Sequence, residues 1–210
     1  MRLDRAFFDR DTREVARELV GTWLVHRLPD GRRREGRIVE TEAYHGEDDG
    51  ACHARFGRTE RAGILFGPPG VVYVFLVYGM HHCLNFVTGR EGFASAVLVR
   101  GVADVRDVGS GAVAPEGLPA LPVNAVGPGR LTRGFGIDRA THNGIDAAGR
   151  RSPLWVEDRG DRPGRVSTSA RIGVEYAGAW AKKPWRYFVA PARAPASRRA
   201  KAKGRRAKRS

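Results

Sequence analysis

Short apolar and aromatic runs separated by turn signals recur through the first hundred residues, with one helical interlude. In residues 11–20 the apolar side chains Val15, Ala16, Leu19 and Val20 share one helical face. Asp11 and Glu14 stand at capping-box spacing ahead of them, and Gly21 supplies a stop. Trp23–Leu28 then reads as a strand, Pro29-Asp30-Gly31 as a turn, and Arg37–Tyr44 as the returning strand of a hairpin. A strict alternation along that strand sets Ile38, Glu40, Glu42 and Tyr44 on one side and Val39, Thr41 and Ala43 on the other. The second set suits a core. The first holds two carboxylates and an aromatic ring, which an ordinary core strand would not choose.

Residues 45–70 are loop-like and end on Gly67-Pro68-Pro69-Gly70. Val71–Tyr78 is a continuous apolar and aromatic run expected to form a buried strand. Gly79 interrupts it, and His81–Thr88 pairs with it or continues it. A turn at Gly89–Gly92 leads into a strand over Ala94–Arg100 that closes on a lone arginine. The Gly/Ala/Pro-rich segment 101–125 suggests no element. Gly127-Pro128 opens a helix, with proline in its first turn. Trp155–Glu157, Ser167–Val174 and Arg186–Val189 are further strands. Because hairpins dominate, the expected fold is mixed α/β (α+β): a single domain with a curved, mainly antiparallel sheet core and flanking helices.

Composition narrows this picture. A chain of 210 residues with 41% hydrophobic and 29% charged content can bury a core of its own. No apolar run reaches the ~18 residues of a membrane-spanning helix, and the N-terminus lacks the apolar block of a signal peptide. Two cysteines, Cys52 and Cys83, are too few for a disulfide framework, which points to a reducing, cytoplasmic setting. The net charge is +14, but nine of the basic residues fall between Arg193 and Ser210, where no acidic residue occurs. Residues 1–192 therefore carry +5 and form the expected folded domain, with 193–210 as a disordered basic tail. Such a tail suits a polyanion, nucleic acid above all; the alternative is a solubilising end without a dedicated partner.

Several chemistries drop out. Cys52-His53 and His81-His82-Cys83 contain metal-ligand residue types, yet there is no CxxC pair, and neighbouring strand residues face opposite sides, so no metal site is expected. The zinc-deaminase signature is missing, as are the P-loop and Rossmann fingerprints. What stands out instead is Glu42 near Tyr44 on one strand, followed by His53, Tyr73, Phe75, Tyr78, Asn85 and Arg100. A carboxylate beside an arginine can orient and deprotonate water, while aromatics and an amide can hold and read a planar heterocycle. The competing readings are a non-catalytic nucleic-acid-binding module, which Glu40 and Glu42 oppose by repelling phosphates, and a membrane-surface protein, which a tail without bulky apolar residues does not support.

The stretches Arg37–Tyr44 (RIVETEAY), Ala51–His53, Gly70–Asn85 (GVVYVFLVYGMHHCLN), Val97–Arg100, Gly127–Leu131 (GPGRL) and Arg171–Val189 resemble the alkyladenine (3-methyladenine) DNA glycosylases, over roughly residues 12–190. The resemblance implies a base-excision-repair enzyme that flips alkylated or deaminated purines out of double-stranded DNA and hydrolyses the N-glycosidic bond. It also implies a monomer that leaves an abasic site and uses no cofactor. In that reading Glu42 is the general base, Arg100 helps hold the water and the carboxylate, and a backbone carbonyl near Ile172 is a third water ligand. Tyr78 is the wedge that enters the duplex, Tyr44 and His53 sandwich the flipped purine, and Asn85 sits against its edge. Two positions depart from the family pattern: Phe75 stands where a pocket tyrosine is found, and His81 replaces a tyrosine after the Y-G-M step.

Overall fold

The computed structural model describes residues 1–109 and 124–190. Much of the unassigned 101–125 segment and the whole basic tail lie outside the described residues. Among the described residues nine strands form one sheet: β1 (Trp23–Arg27), β2 (Arg33–His45), β3 (Val72–Val77), β4 (His81–Val87), β5 (Ser95–Val108), β6 (Asn124–Val126), β7 (Leu154–Glu157), β8 (Val166–Ser169) and β9 (Arg186–Val189). The order is β3-β4-β5-β2-β1-β7, with β6 added to β5, and β9 joining β2 to β8. Every pairing is antiparallel. Four short α-helices among the described residues flank it: α1 (Arg5–Phe8), α2 (Thr12–Leu19), α3 (Pro128–Phe135) and α4 (Arg139–His142). The α+β class and the hairpins are as expected. No helix among the described residues is long and apolar enough to cross a membrane.

One face of the sheet packs on α2 and α3. Val15 and Leu19 from α2 and Leu131 and Phe135 from α3 meet Val97, Val99 and Val102 of β5 in the main core. Asp11 caps α2 by accepting the Arg13 N–H at 2.8 Å, one residue short of capping-box geometry. The other face carries a smaller cluster, including Cys52, Leu65, Tyr73 and Ala96, closed over by the 45–70 loop. That second face holds the site.

The β2–β5 register slips between Glu35 and Arg37 and again beside the carboxylates, and the second failure of simple alternation is informative. Along β2, Ile38 pairs Val102 and Glu40 pairs Gly101, so Val39 is an extra residue. One step on, Thr41 pairs Val99, so Arg100 is the extra residue on β5. These two bulges offset each other and reverse which parity faces the core on both strands. Ile38 accordingly lies in the main core with Ala43, not on the side of Glu42. The expected grouping of Ile38 with the carboxylates is thereby corrected.

Two further boundaries shift. The β5 strand runs on to Val108, because its charged residues pair across to β2: Arg37 with Asp104, Arg34 with Asp107 and Arg106 with Glu35. Conversely, β8 stops at Ser169. The expected strand over Ser167–Val174 breaks off into a turn containing Gly173 at φ +75°, which carries Ile172 across to β2. Near the end of α3, His26 on β1 donates from Nδ1 to the Phe135 carbonyl at 2.7 Å. Its Nε2 meets His142 Nε2 at 3.1 Å. Since a carbonyl only accepts, His26 Nε2 must accept from His142 Nε2–H. His142 Nδ1 then accepts from the Thr141 hydroxyl and the Asp138 N–H.

Candidate active site

Glu42 lies on β2 between β5 and β9, opposite Leu98 and Arg186. It has no exposed surface. Its Oε1 accepts the Ile172 N–H at 2.8 Å. Its Oε2 accepts the Tyr44 hydroxyl at 2.9 Å and Arg100 Nη1 at 3.4 Å. Burial pushes the Glu42 carboxyl above the usual carboxylate range, and the Arg100 charge and Ile172 N–H pull back against that rise. Arg100 sits in its bulge with Nε on Glu40 at 2.9 Å, and Arg186 reaches Glu40 from the other side at 2.6 Å. Glu40 thus bridges two arginines and fixes the one that meets Glu42.

A cavity of about 1390 Å³ opens beside this carboxylate. Tyr44, His53, Phe75, Tyr78, Asn85, Arg100 and Ile172 all line it. Seven of the eight candidate site residues therefore share one cavity. Glu42 is set behind them, touching the cavity wall through Tyr44 and Arg100. His53 Nδ1 shares a hydrogen bond of 2.9 Å with the Tyr73 hydroxyl, and its ring stands edge-on to Phe75 at 4.5 Å. Burial, reinforced by Arg61 and Arg55, lowers the His53 pKa to about 4, so the imidazole is neutral at physiological pH. Asn85 donates its amide protons to the Tyr73 and Cys83 carbonyls at 3.0 and 3.2 Å. This fixes its plane within the β3–β4 pair.

Tyr78 stands apart from this buried group. It begins the β3–β4 turn, with Met80 N–H bonded to the Val77 carbonyl and both Tyr78 (φ +51°) and Gly79 (φ +70°) left-handed. That is the backbone of a type I′ hairpin turn. The ring is 88% exposed at the cavity rim, with Met80 beside it. An aromatic residue at positive φ on a solvent-facing tip has no packing reason to be there.

Three contributors carry no signal in the sequence alone. Arg171 and Asp49 form a fully buried ion pair behind Tyr44, and Arg186 flanks Glu40. Arg171 and Arg186 lie at or near the ends of one motif, but nothing in the chain marks them as partners of residues more than a hundred positions away. Asp49 looks like any solvated loop carboxylate. Both cysteines are buried, and burial pushes each thiol up to about 11.

A family model described as Methylpurine-DNA glycosylase (MPG) matches residues 6–193. A protein named "Putative 3-methyladenine DNA glycosylase" from Anaeromyxobacter sp. (strain Fw109-5) is 51% identical over 189 residues, which is 90% of this chain and 89% of the relative. Proteins of the same name from Myxococcus xanthus and Methanocella arvoryzae are 47% identical over 193 residues and 45% identical over 187 residues. The match to the first covers 89% of both chains; the match to the second covers 89% of this chain and 91% of the relative.

Proposed function

From the premise that this chain belongs to the methylpurine-DNA glycosylase family, we propose that it excises alkylated or deaminated purines from duplex DNA through a Glu42-activated water. The observation that carries this reading is the buried carboxylate held by three donors at the wall of an aromatic cavity, with an exposed tyrosine at the rim.

A base stacked in a duplex is out of reach, and flipping it costs a few kcal/mol. Tyr78, presented on its turn, fills the vacated space and offsets part of that cost. The flipped purine enters between Tyr44 and His53, with Phe75 beneath and Asn85 at its edge. A neutral His53 suits this role, since an imidazolium would repel a cationic alkylpurine. Phe75 keeps a stacking face without a hydroxyl.

Glycosidic cleavage builds positive charge on the sugar. An N3- or N7-alkylated purine is already cationic and leaves without a proton donor, so one carboxylate suffices. Glu42 takes the proton of the attacking water and, as an anion, favours the developing cation. The Arg100 contact, at 3.4 Å the loosest of the three, is where the water enters in this reading. A main-chain carbonyl near Ile172 is its further acceptor. Among the described residues no lysine lines the cavity, which fits a monofunctional enzyme that leaves an abasic site without Schiff-base chemistry. Residues 1–192 act as the catalytic domain of a monomer, and 193–210 as an appended DNA contact.

Duplexes each carrying one defined lesion test this, with release of free base measured under single-turnover conditions. Glu42→Gln keeps shape and loses the base; release should fall by about 10²–10⁴-fold while lesion binding persists. Near-parental release would exclude Glu42 as the base.

A further inference from the structure

The Arg171–Asp49 pair raises a question that stability does not answer. Both side chains have no exposed surface. Desolvating two charges is costly, and a well-packed apolar pair of similar volume is often no less stable. The contacts made by the pair converge on the parts of the site. Arg171 Nη1 donates to Asp49 Oδ2 at 2.6 Å and to the Ala43 carbonyl at 2.8 Å. Ala43 is the residue between Glu42 and Tyr44. Arg171 Nη2 donates to Asp49 Oδ1 at 2.8 Å and to the Trp180 carbonyl at 3.2 Å. The guanidinium lies 4.7 Å over the Tyr44 ring and 5.0 Å over Trp185. The next residue in the chain, Ile172, donates its N–H to Glu42. Asp49, for its part, accepts the His45 and Ala51 N–H groups at 3.1 and 3.0 Å, ordering the strand end and the loop that leads to His53.

We infer that Arg171 and Asp49 are positioning residues for base excision: their ion pair sets the Tyr44 ring and the Ile172 amide, the two uncharged donors that hold Glu42. This rests on the reading of Glu42 as the base. The fork of Arg171 is suited to the task because one planar group reaches Asp49, two carbonyls and an aromatic face at once; a lysine reaches fewer. Without the pair, the Ile172 turn and the Tyr44 ring are no longer anchored together, and a misplacement on the order of 1 Å is worth about 100-fold in rate.

The pH profile separates positioning from mere support. The groups facing Glu42 are Tyr44 and Glu40 on its own strand, Arg100 from β5, Arg186 from β9, Cys83 from β4, and Arg171 with the Ile172 N–H from the segment after β8. Loosening the Ile172 N–H removes a donor that favours the charged carboxylate, so the acid limb of the excision rate should move to higher pH. Arg171→Met, which also removes a positive charge, should move it further than Arg171→Lys.

Single-turnover release from a duplex with one N-alkylated purine should therefore be measured across pH for Arg171→Lys, Arg171→Met and Asp49→Asn. Affinity for the same duplex and thermal melting are measured alongside. The expected result is a rate loss of about 100-fold, an affinity change of only a few-fold and, for the two Arg171 variants, an acid limb shifted upward. Folded variants with parental rate and parental acid limb, while Glu42→Gln is inactive, would overturn the inference and leave the Glu42 reading standing. If every substitution at both positions unfolds the protein, the pair is a folding element and the inference also fails. An active Glu42→Gln would instead sink the reading beneath it.

Discussion

Tyr78 occupies a position that backbone sterics would give to glycine or asparagine. Left-handed backbone costs a bulky L-residue roughly 1–2 kcal/mol, and the exposed ring returns none of it through packing. Replacement by glycine relieves that strain and adds about 0.5–1 kcal/mol of chain entropy cost, so stability should hold within about 1 kcal/mol. Binding to lesion-containing duplex should meanwhile weaken by about 1–3 kcal/mol, the usual worth of a base–aromatic stack. Calorimetric melting and a fluorescent base-analogue assay on Tyr78→Gly check both halves. A loss of stability with flipping intact would make Tyr78 a structural residue. Glu42 yields a second expectation at this scale. Its pKa is raised by burial, and only the anion accepts a proton. Excision should therefore fall on acidification at a pH above the ordinary Glu value of about 4.3. A pH–rate profile with its acid limb at or below that value would contradict the burial argument.

Short strands were legible because their apolar and aromatic runs are local and bounded by turn signals: β9 falls on the expected Arg186–Val189, and β3 and β4 lie within a residue of expectation. The far half of β5 was not legible, because Asp104, Arg106 and Asp107 owe their place to partners on β2. The site divides the same way. Glu42, Tyr44 and Arg100 stand out as residue types on strands, whereas Asp49 and Arg171 acquire meaning only when the loop folds over. The same holds for the His26–His142 contact tying α3 and α4 to β1. That arrangement needs both rings neutral, because a second proton would set two N–H groups against each other. Burial lowers the His26 pKa from 6.5 to about 4. The unfolded chain therefore takes up this proton first, and stability present above pH 6.5 drains away as pH falls toward 4, by about 3 kcal/mol in all. Urea titrations at several pH values should show a shallower decline in that window for His26→Gln than for the parent. Parallel curves would mean His26 does not titrate as argued.

Charge is distributed unevenly over the whole molecule: nine of the +14 net charges fall in the last eighteen residues. A chain ending before Arg193 should keep its fold and its choice of lesion, since phosphate contacts carry no base information. It should bind damaged and undamaged duplex more weakly alike, and the slope of log K against log salt should flatten by ~0.9 for each phosphate that the tail would otherwise neutralise. Equal slopes for the full and shortened proteins would mean the tail does not touch DNA; an altered lesion preference would mean it reaches the cavity. The body itself is organised around the paired bulges at Val39 and Arg100, and they bear on how such a gene tolerates change. Deleting one codon at position 39 would leave every active-site side chain encoded and chemically intact. It would nonetheless turn Glu42 and Tyr44 toward α2, and Thr41 and Ala43 toward the cavity. Which residue stands at 39 therefore matters far less than how many stand there, and a lineage can change the length of one strand only in step with the other.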